Sequence, residues 1–379
     1  MINRIKLIFM SSLPISRIFG EKLDAGWFQK NGFNVEFWDL TPLFWSKENL
    51  DQYYSGCENY RYIGPNHKIF THLDEVKYAI STLTQDVMVW NLSRYFKLVK
   101  DDWIFEELNR KSILYYLQHF DTDIESSNLY IQFKNYINLY RQRFLNKRLK
   151  PYGIIGSGSI GRIQSMKLFP NAHFISVPSI KVLWQKAPPM IRESYNLFVD
   201  ENIAYPPDAR LLGYEICLNP DAYYSRLNRL FDDIELWSGR PVIIAASGKY
   251  QYEQDRFNGR QLIYSQTLPL IQNANFVIGH MSLALDQCLV SEKSFLLIDD
   301  PDFTKIKRKG FSESLLGLMG RPILVTKVTK EVYLQGLSFN TKRAKSIVSN
   351  YLKEDDVTLS YHSILEEEIC KSGKSLLQK

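Results

Sequence analysis

Four groups of reactive side chains stand at the ends of short apolar runs in this chain of 379 residues. Asp200 and Glu201 follow the run ending at 199; Ser247, Gly248 and Lys249 follow 242–246; Gly279, His280, Met281 and Ser282 follow 276–278; Asp299 and Asp300 follow 295–298. In an acidic pair, one carboxylate can act as base or nucleophile while the other orients it or stays solvated. Spacing alone does not say which of Asp200 and Glu201 reacts. Serine, lysine and histidine on neighbouring strands offer the hydrogen bonds and charge that a departing phosphate needs. Two serines after the first apolar run, Ser11 and Ser12, and His119 after the run 112–117 hold the same kind of position in the first half. There a second substrate or a phosphate could be met, although a polar loop and a structural histidine are the plainer accounts. The acids at 299–302 could hold a divalent ion, but a capping or solvated turn explains them more simply. No metal is expected.

These groups need a scaffold that presents strand ends side by side. The apolar runs are too short for core helices, do not alternate with polar residues, and are separated by helix-length segments, the pattern of a parallel sheet covered on both faces. In such sheets ligands bind at the carboxyl ends of the strands. The chain opens the same way, with an apolar strand over 5–10, a helix carrying Leu23, Trp27 and Phe28 that Gly32 stops, and a second strand at 34–39. Residues 86–90 and 112–117 read as further strands, with a helix over 94–110 between them, while 41–80 reads as an irregular, aromatic insertion. A helix is expected over 129–149, another over 221–237 behind Asn219 and Pro220, a third over 310–320 capped by Ser312, and a last strand at 321–325.

A single core stops growing at roughly 250–300 residues, so two domains are expected. The fold class is α/β, two Rossmann-like doubly wound domains, with an N-terminal domain over 1–188 and a C-terminal domain over 189–340. The two prolines within 187–191 mark the linker. A helical tail over 341–379 has Ala344, Ile347, Val348 and Tyr351 at core spacing. Composition is that of an ordinary globular protein, 45% hydrophobic and 23% charged. The net charge of +6 suits an anionic ligand or a membrane surface, yet the basic runs 141–150 and 305–309 are too short to argue for nucleic acid. Four scattered cysteines without a CxxC pair indicate neither a zinc site nor a disulfide framework and fit a reduced, cytoplasmic setting. No run approaches the roughly 18 apolar residues of a membrane span, so any membrane contact, at the inner face through the basic runs, would be peripheral.

Gly156, Gly158 and Gly161 have the spacing of a dinucleotide-binding turn. That fingerprint also requires an acid about 20 positions on and a place in the first βαβ unit of its domain. Neither holds here, and the plain reading is a tight strand-to-helix turn.

The succession Phe198-Val-Asp-Glu-Asn-Ile203, Tyr205 to Asp208, 242–246 and Asn275-Phe-Val-Ile-Gly-His280-Met-Ser282 resembles bacterial GT-B glycosyltransferases of surface polysaccharide synthesis. The segment from Gly32 to Trp45 is similar to the N-terminal part of such proteins, and within the group the likeness points to enzymes using CMP-activated acidic sugars, of the sialyltransferase and Kdo-transferase kind. The resemblance implies two lobes facing each other across a cleft, a CMP-linked donor with no other cofactor, and a glycan or lipid-linked glycan acceptor. It implies that Asp200 or Glu201 serves as base or nucleophile, with His280 beside them, and that Ser247, Gly248, Lys249, Gly279 and Ser282 contact the nucleotide. Where the family carries a His-Pro step this chain has Ser247 and Gly248, leaving Lys249 to supply the charge, and of the family's serine-rich step only Ser282 keeps its hydroxyl. A relative that binds a nucleotide or glycan without turnover, and an unrelated α/β nucleotide-sugar enzyme, are the alternatives.

Overall fold

The computed structural model describes residues 5–15, 17–54, 61–92, 102–118, 149–205, 218–248, 250–252, 254–280, 282–302 and 314–377. Two compact units emerge: residues 1–50, 61–180 and 349–379 form one, and 51–60 with 181–348 form the other. The division falls at 180/181, a few residues before the two prolines, and the chain re-enters the first unit at 349.

The first unit is built on a parallel sheet of seven described strands: β1 (Lys6–Ser11), β2 (Asn34–Asp39), β3 (His67–Ile69), β4 (Val87–Asn91), β5 (Leu114–Gln118), β6 (Gly153–Gly156) and β7 (His173–Ser176). Their order is β3-β2-β1-β4-β5-β6-β7, so the direction of winding reverses between β1 and β4. Period-2 geometry sends Leu7 and Phe9 to one face and Ile8 and Met10 to the other, and both sets are buried. That is why these strands read as continuous apolar runs. The helix Tyr361–Leu377 covers one face, bringing Tyr361, Leu365 and Ile369 against Phe9, Phe28 and Trp90.

The segment 41–80 is not an irregular insertion. It carries the helix Lys47–Tyr54, the edge strand β3 and the helix Leu73–Ser81. The first helix is two pieces, Arg17–Leu23 and Ala25–Lys30, because Asp24 adopts a left-handed conformation, φ 44°, and caps the second piece. Residues 129–148 of the helix expected over 129–149, and 94–101 of the one before it, lie outside the described residues; 102–110 is helical.

The second unit holds six described strands, β8 (Asn196–Val199), β9 (Val242–Ala246), β10 (Leu262–Tyr264), β11 (Phe276–Gly279), β12 (Phe295–Asp299) and β13 (Ile323–Leu324). All their pairings are parallel, in the order β10-β9-β8-β11-β12-β13, with the reversal between β8 and β11. The helix Pro220–Ser238 starts where Asn219 caps it with Pro220 at its first position, and ends at Gly239 with φ 64°. It lays Tyr223, Leu227, Leu230, Phe231 and Ile234 on the sheet, each fully buried aliphatic side chain contributing roughly 1.5–3 kcal/mol. In place of the helix expected over 310–320, the described part is one 3-10 turn, Leu315–Leu318, capped by Ser314; Ser312 lies outside the described residues.

Candidate active site

The reversal point of the second sheet gathers most of the reactive residues. Register pairs Val199 with both Gly279 and Ala245, so the groups just beyond these positions, Asp200, His280 and the Ala246-Ser247 step, share one carboxyl edge. This is where doubly wound sheets leave a crevice for ligands.

Asp200 is buried and held on every side. Its amide donates to the Ala245 carbonyl at 3.1 Å, its Oδ1 accepts from the Asn202 amide at 2.9 Å, and its Oδ2 accepts from the Tyr252 hydroxyl at 2.8 Å. Burial pushes the carboxyl up to about 6, against the downward pull of the Asn202 amide, the Tyr252 hydroxyl and the Ser247 amide. Asn202 sits at φ 53°, a conformation asparagine tolerates better than most residues, which closes the turn over the carboxylate. Glu201 is half-buried.

A second chain of bonds runs through His280. The imidazole is buried, with Nε2 at 3.0 Å from the Tyr223 hydroxyl and Nδ1 at 3.0 Å from the Ile298 carbonyl. With both ring nitrogens engaged inside the protein, His280 ties the end of β11 to β12 and to the helix Pro220–Ser238 in this conformation. Gly279 is small for a packing reason, since a Cβ there would sit 2.9 Å from Leu285 Cδ1. The Ser282 hydroxyl accepts from the Ala284 amide at 3.4 Å and caps the turn Leu283–Asp286, which leaves its own hydrogen to donate elsewhere. Ser247 and Gly248 are half-buried beside Asp200; Lys249 and Met281 lie outside the described residues.

The acids at the end of β12 are not a solvated turn. Arg226 reaches Asp300 with two nitrogens, at 2.8 and 2.7 Å, and Asp302 at 2.7 Å, and Asp300 is fully buried. A bidentate guanidinium already neutralises the pair a cation would use. Among the described residues no group of histidine, cysteine and acidic side chains is arranged to hold a metal ion.

Ser11 and Ser12 lie at the reversal point of the other sheet. The Ser11 hydroxyl donates to the Leu13 carbonyl at 2.7 Å and accepts from the Leu13 amide, while the Ser12 carbonyl accepts from Trp45 Nε1 at 2.9 Å. Both serines are buried and serve the turn after β1. His119 lies outside the described residues. Beside this turn Asp39 ends β2. Burial would raise its carboxyl, but His67, Arg61 and Thr41 outweigh that and bring it down to about 2.

The glycine turn at 156–161 is filled by the chain itself. Gly158 has φ 71°, and a Cβ there would lie 2.3 Å from the Asn350 carbonyl oxygen, while the Ser159 hydroxyl donates to Asn350 Oδ1 at 3.0 Å. The glycine makes room for a backbone at 350–351, in the position where a dinucleotide would need to enter.

Sequence reasoning missed the tyrosines. Tyr252 bonds Asp200, Tyr224 bonds Tyr252 at 3.0 Å, and Tyr205 stacks on Tyr250 at 5.1 Å. The only trace in the sequence is the pair Tyr250 and Tyr252 directly after the Ser247–Lys249 tip.

Two parallel-sheet units, each with its own reversal point, place this chain in the Rossmann-like GT-B class of folds. Solved structures share the fold along nearly the whole chain. MurG of Acinetobacter baumannii matches with a TM-score of 0.50 and 11% identity, over 97% of this chain and 99% of its own. A UDP-N-acetylglucosamine 2-epimerase matches with 0.50 and 11%, over 98% and 97%. The wall teichoic acid polymerase TagF, solved after a CDPG soak, matches with 0.52 and 12%, over 100% and 90%. At such identities the likeness is one of fold. No family model matches the chain, and no curated protein matches its sequence.

Proposed function

We propose that this protein is a glycosyltransferase that moves a sugar from a nucleotide donor to a hydroxyl of a glycan acceptor. The observation that carries the reading is Asp200: a buried, ionisable carboxyl at the reversal point of the second sheet, in a fold shared end to end with MurG and TagF. In the proposed step the acceptor oxygen forms a bond to the anomeric carbon as that carbon's bond to the donor phosphate breaks. The nucleotide leaves with the electron pair, and Asp200 takes the hydroxyl proton. With a midpoint near 6, the carboxyl is mostly ionised at neutral pH and close enough to it to work as a base. Ser247, Gly248, Gly279, Ser282 and Lys249 form the phosphate cradle in this reading, and His280 positions the end of β11. Glu201 borders the reacting centre.

The donor we propose is a CMP-activated acidic sugar, and the setting is surface polysaccharide synthesis at the inner face of the membrane. Both rest on the sequence resemblance, and TagF with CDPG makes the nucleotide preference worth testing first. Thermal-shift titrations with CMP, UDP, GDP and NAD, followed by transfer assays, test the whole reading. CMP is expected to stabilise the protein, and Asp200→Asn to keep that stabilisation while losing at least about 100-fold in transfer. Stabilisation by NAD alone would overturn it.

The epimerase likeness supports a second reading, chemistry on a nucleotide sugar without an acceptor. Conversion of a UDP-sugar to its epimer with no acceptor present would favour it. Nucleotide binding with neither reaction would favour a non-catalytic relative, the reading that Ser247 and Gly248 in place of His-Pro supports.

A further inference from the structure

We propose that Tyr252 and Tyr224 form a two-hydroxyl relay that holds Asp200 in its charged form and in its orientation, so that both are positioning residues of the site. The activity part of this inference rests on the transferase reading above; the charge part does not.

Three groups favour the ionised carboxylate: the Asn202 amide, the Ser247 amide and the Tyr252 hydroxyl. The first two belong to the backbone and come with the turn. The Tyr252 hydroxyl is the one supplied by a side chain, from a loop 52 residues further along. It donates to Asp200 Oδ2 at 2.8 Å, and its oxygen lies 3.0 Å from the Tyr224 hydroxyl on the helix Pro220–Ser238. With Tyr252 donating to the acid, Tyr224 donates to Tyr252, and each bond polarises the next. Neither phenol gives up its proton, because burial and the adjacent Asp200 charge hold both well above the ordinary tyrosine value. The relay therefore works by hydrogen bonding and transfers no proton.

Ring packing fixes the hydroxyls where they are. Tyr252 meets Tyr250 at 5.1 Å and Phe257 at 5.2 Å, edge to face, and Tyr224 meets Phe257 at 5.3 Å and Tyr223 at 5.0 Å in the same way. These contacts use the rings, so a phenylalanine at 252 or 224 keeps the packing and removes only the hydroxyl. The other charged and titratable groups around Asp200 are accounted for. Glu201 follows it in the chain; Tyr223 faces it from the helix and is bonded to His280; Asp300, paired with Arg226, acts on Tyr223. Arg256 lies over the Tyr224 ring at 5.7 Å.

The test is the titration of Asp200 itself. Protein labelled with carbon-13 at the aspartate carboxyls is titrated from pH 4 to 9, with Asp200→Asn identifying the signal. Tyr252→Phe is expected to raise the Asp200 midpoint by about one pH unit, the effect of losing one hydrogen bond to a charged group. Tyr224→Phe should raise it less, in the same direction, and serves if Tyr252→Phe folds poorly. In the transfer assay the acid limb of the pH-rate profile should move up by the same amount, which a merely structural role would not produce. Midpoints within a few tenths of a unit of the parent in two folded variants would overturn the relay. A midpoint that moves in a protein that transfers no sugar would support the relay and count against the transferase reading, so the two failures are distinguishable.

Discussion

Asp200 and Asp39 are both buried acids at strand ends, and they couple folding to pH with opposite signs. Asp200 has its folded midpoint raised from 3.8 to about 6. The folded protein binds this proton more tightly than the unfolded chain, so the group favours folding at low pH and loses that contribution as pH rises from about 4 to about 6. The loss is on the order of 3 kcal/mol. Asp39 has its midpoint lowered to about 2, so its contribution is complete above about pH 4 and disappears as pH falls toward 2. Asp200→Asn cannot ionise and should escape the first loss, although it also gives up part of the hydrogen bonding to Tyr252 and Asn202. The expected outcome is a melting-temperature difference, variant minus parent, that becomes more positive between pH 4 and 7 and is flat below 4. Melting curves across that range decide it, and a difference independent of pH would remove Asp200 from the account. A stability gain at neutral pH in a variant that cannot transfer sugar would be the trade expected of a functional buried acid.

Among elements, the glycine turn separates spacing from function. Gly156, Gly158 and Gly161 satisfy the dinucleotide spacing, but the missing acid after β7 argued against a cofactor, and the structure supplies the glycine's actual use in the approach of the 350–351 backbone. Gly158→Ala combines a left-handed φ of 71° with a Cβ 2.3 Å from a backbone oxygen, and backbone cannot yield as a side-chain tip can. It should lower stability by more than about 2 kcal/mol without changing the response to nucleotides, as measured by chemical denaturation and thermal shift. Gly279→Ala meets only the end of Leu285 and should be milder. The same logic explains what was legible in the sequence. Strands such as Val242–Ala246 were readable to the residue because they are buried on both faces and therefore uniformly apolar. The edge strands β3 and β10 were not, having three residues each and only partial burial. Asp200 was visible as an acid at a strand end, whereas Tyr252 depends on a fold contact between distant residues that no local pattern encodes.

For the whole molecule the telling feature is that the first unit is assembled from separated stretches of chain, with residues 349–379 returning to it and supplying a helix that covers one face of its sheet. The helix Tyr361–Leu377 is part of that core. Tyr361, Leu365 and Ile369 are buried, the Tyr361 hydroxyl donates to Gln118 Oε1 at 3.2 Å, and the Tyr116 hydroxyl donates to Ser372 at 2.9 Å. At roughly 1.5–3 kcal/mol for each buried side chain, losing three amounts to about 5–9 kcal/mol, comparable to the whole stability of a domain. The second unit keeps all its strands and the Asp200 cluster within 181–348. A chain ending at residue 348 should therefore lose the cooperative unfolding of the first unit and keep that of the second. Scanning calorimetry of the two chains, with and without CMP, measures both effects. The transition that survives truncation should be the one a nucleotide raises, because the proposed nucleotide-binding residues all belong to the second unit. If truncation abolishes both transitions, the second unit is not independent; if the nucleotide raises only the transition that truncation removes, the donor site has been assigned to the wrong sheet.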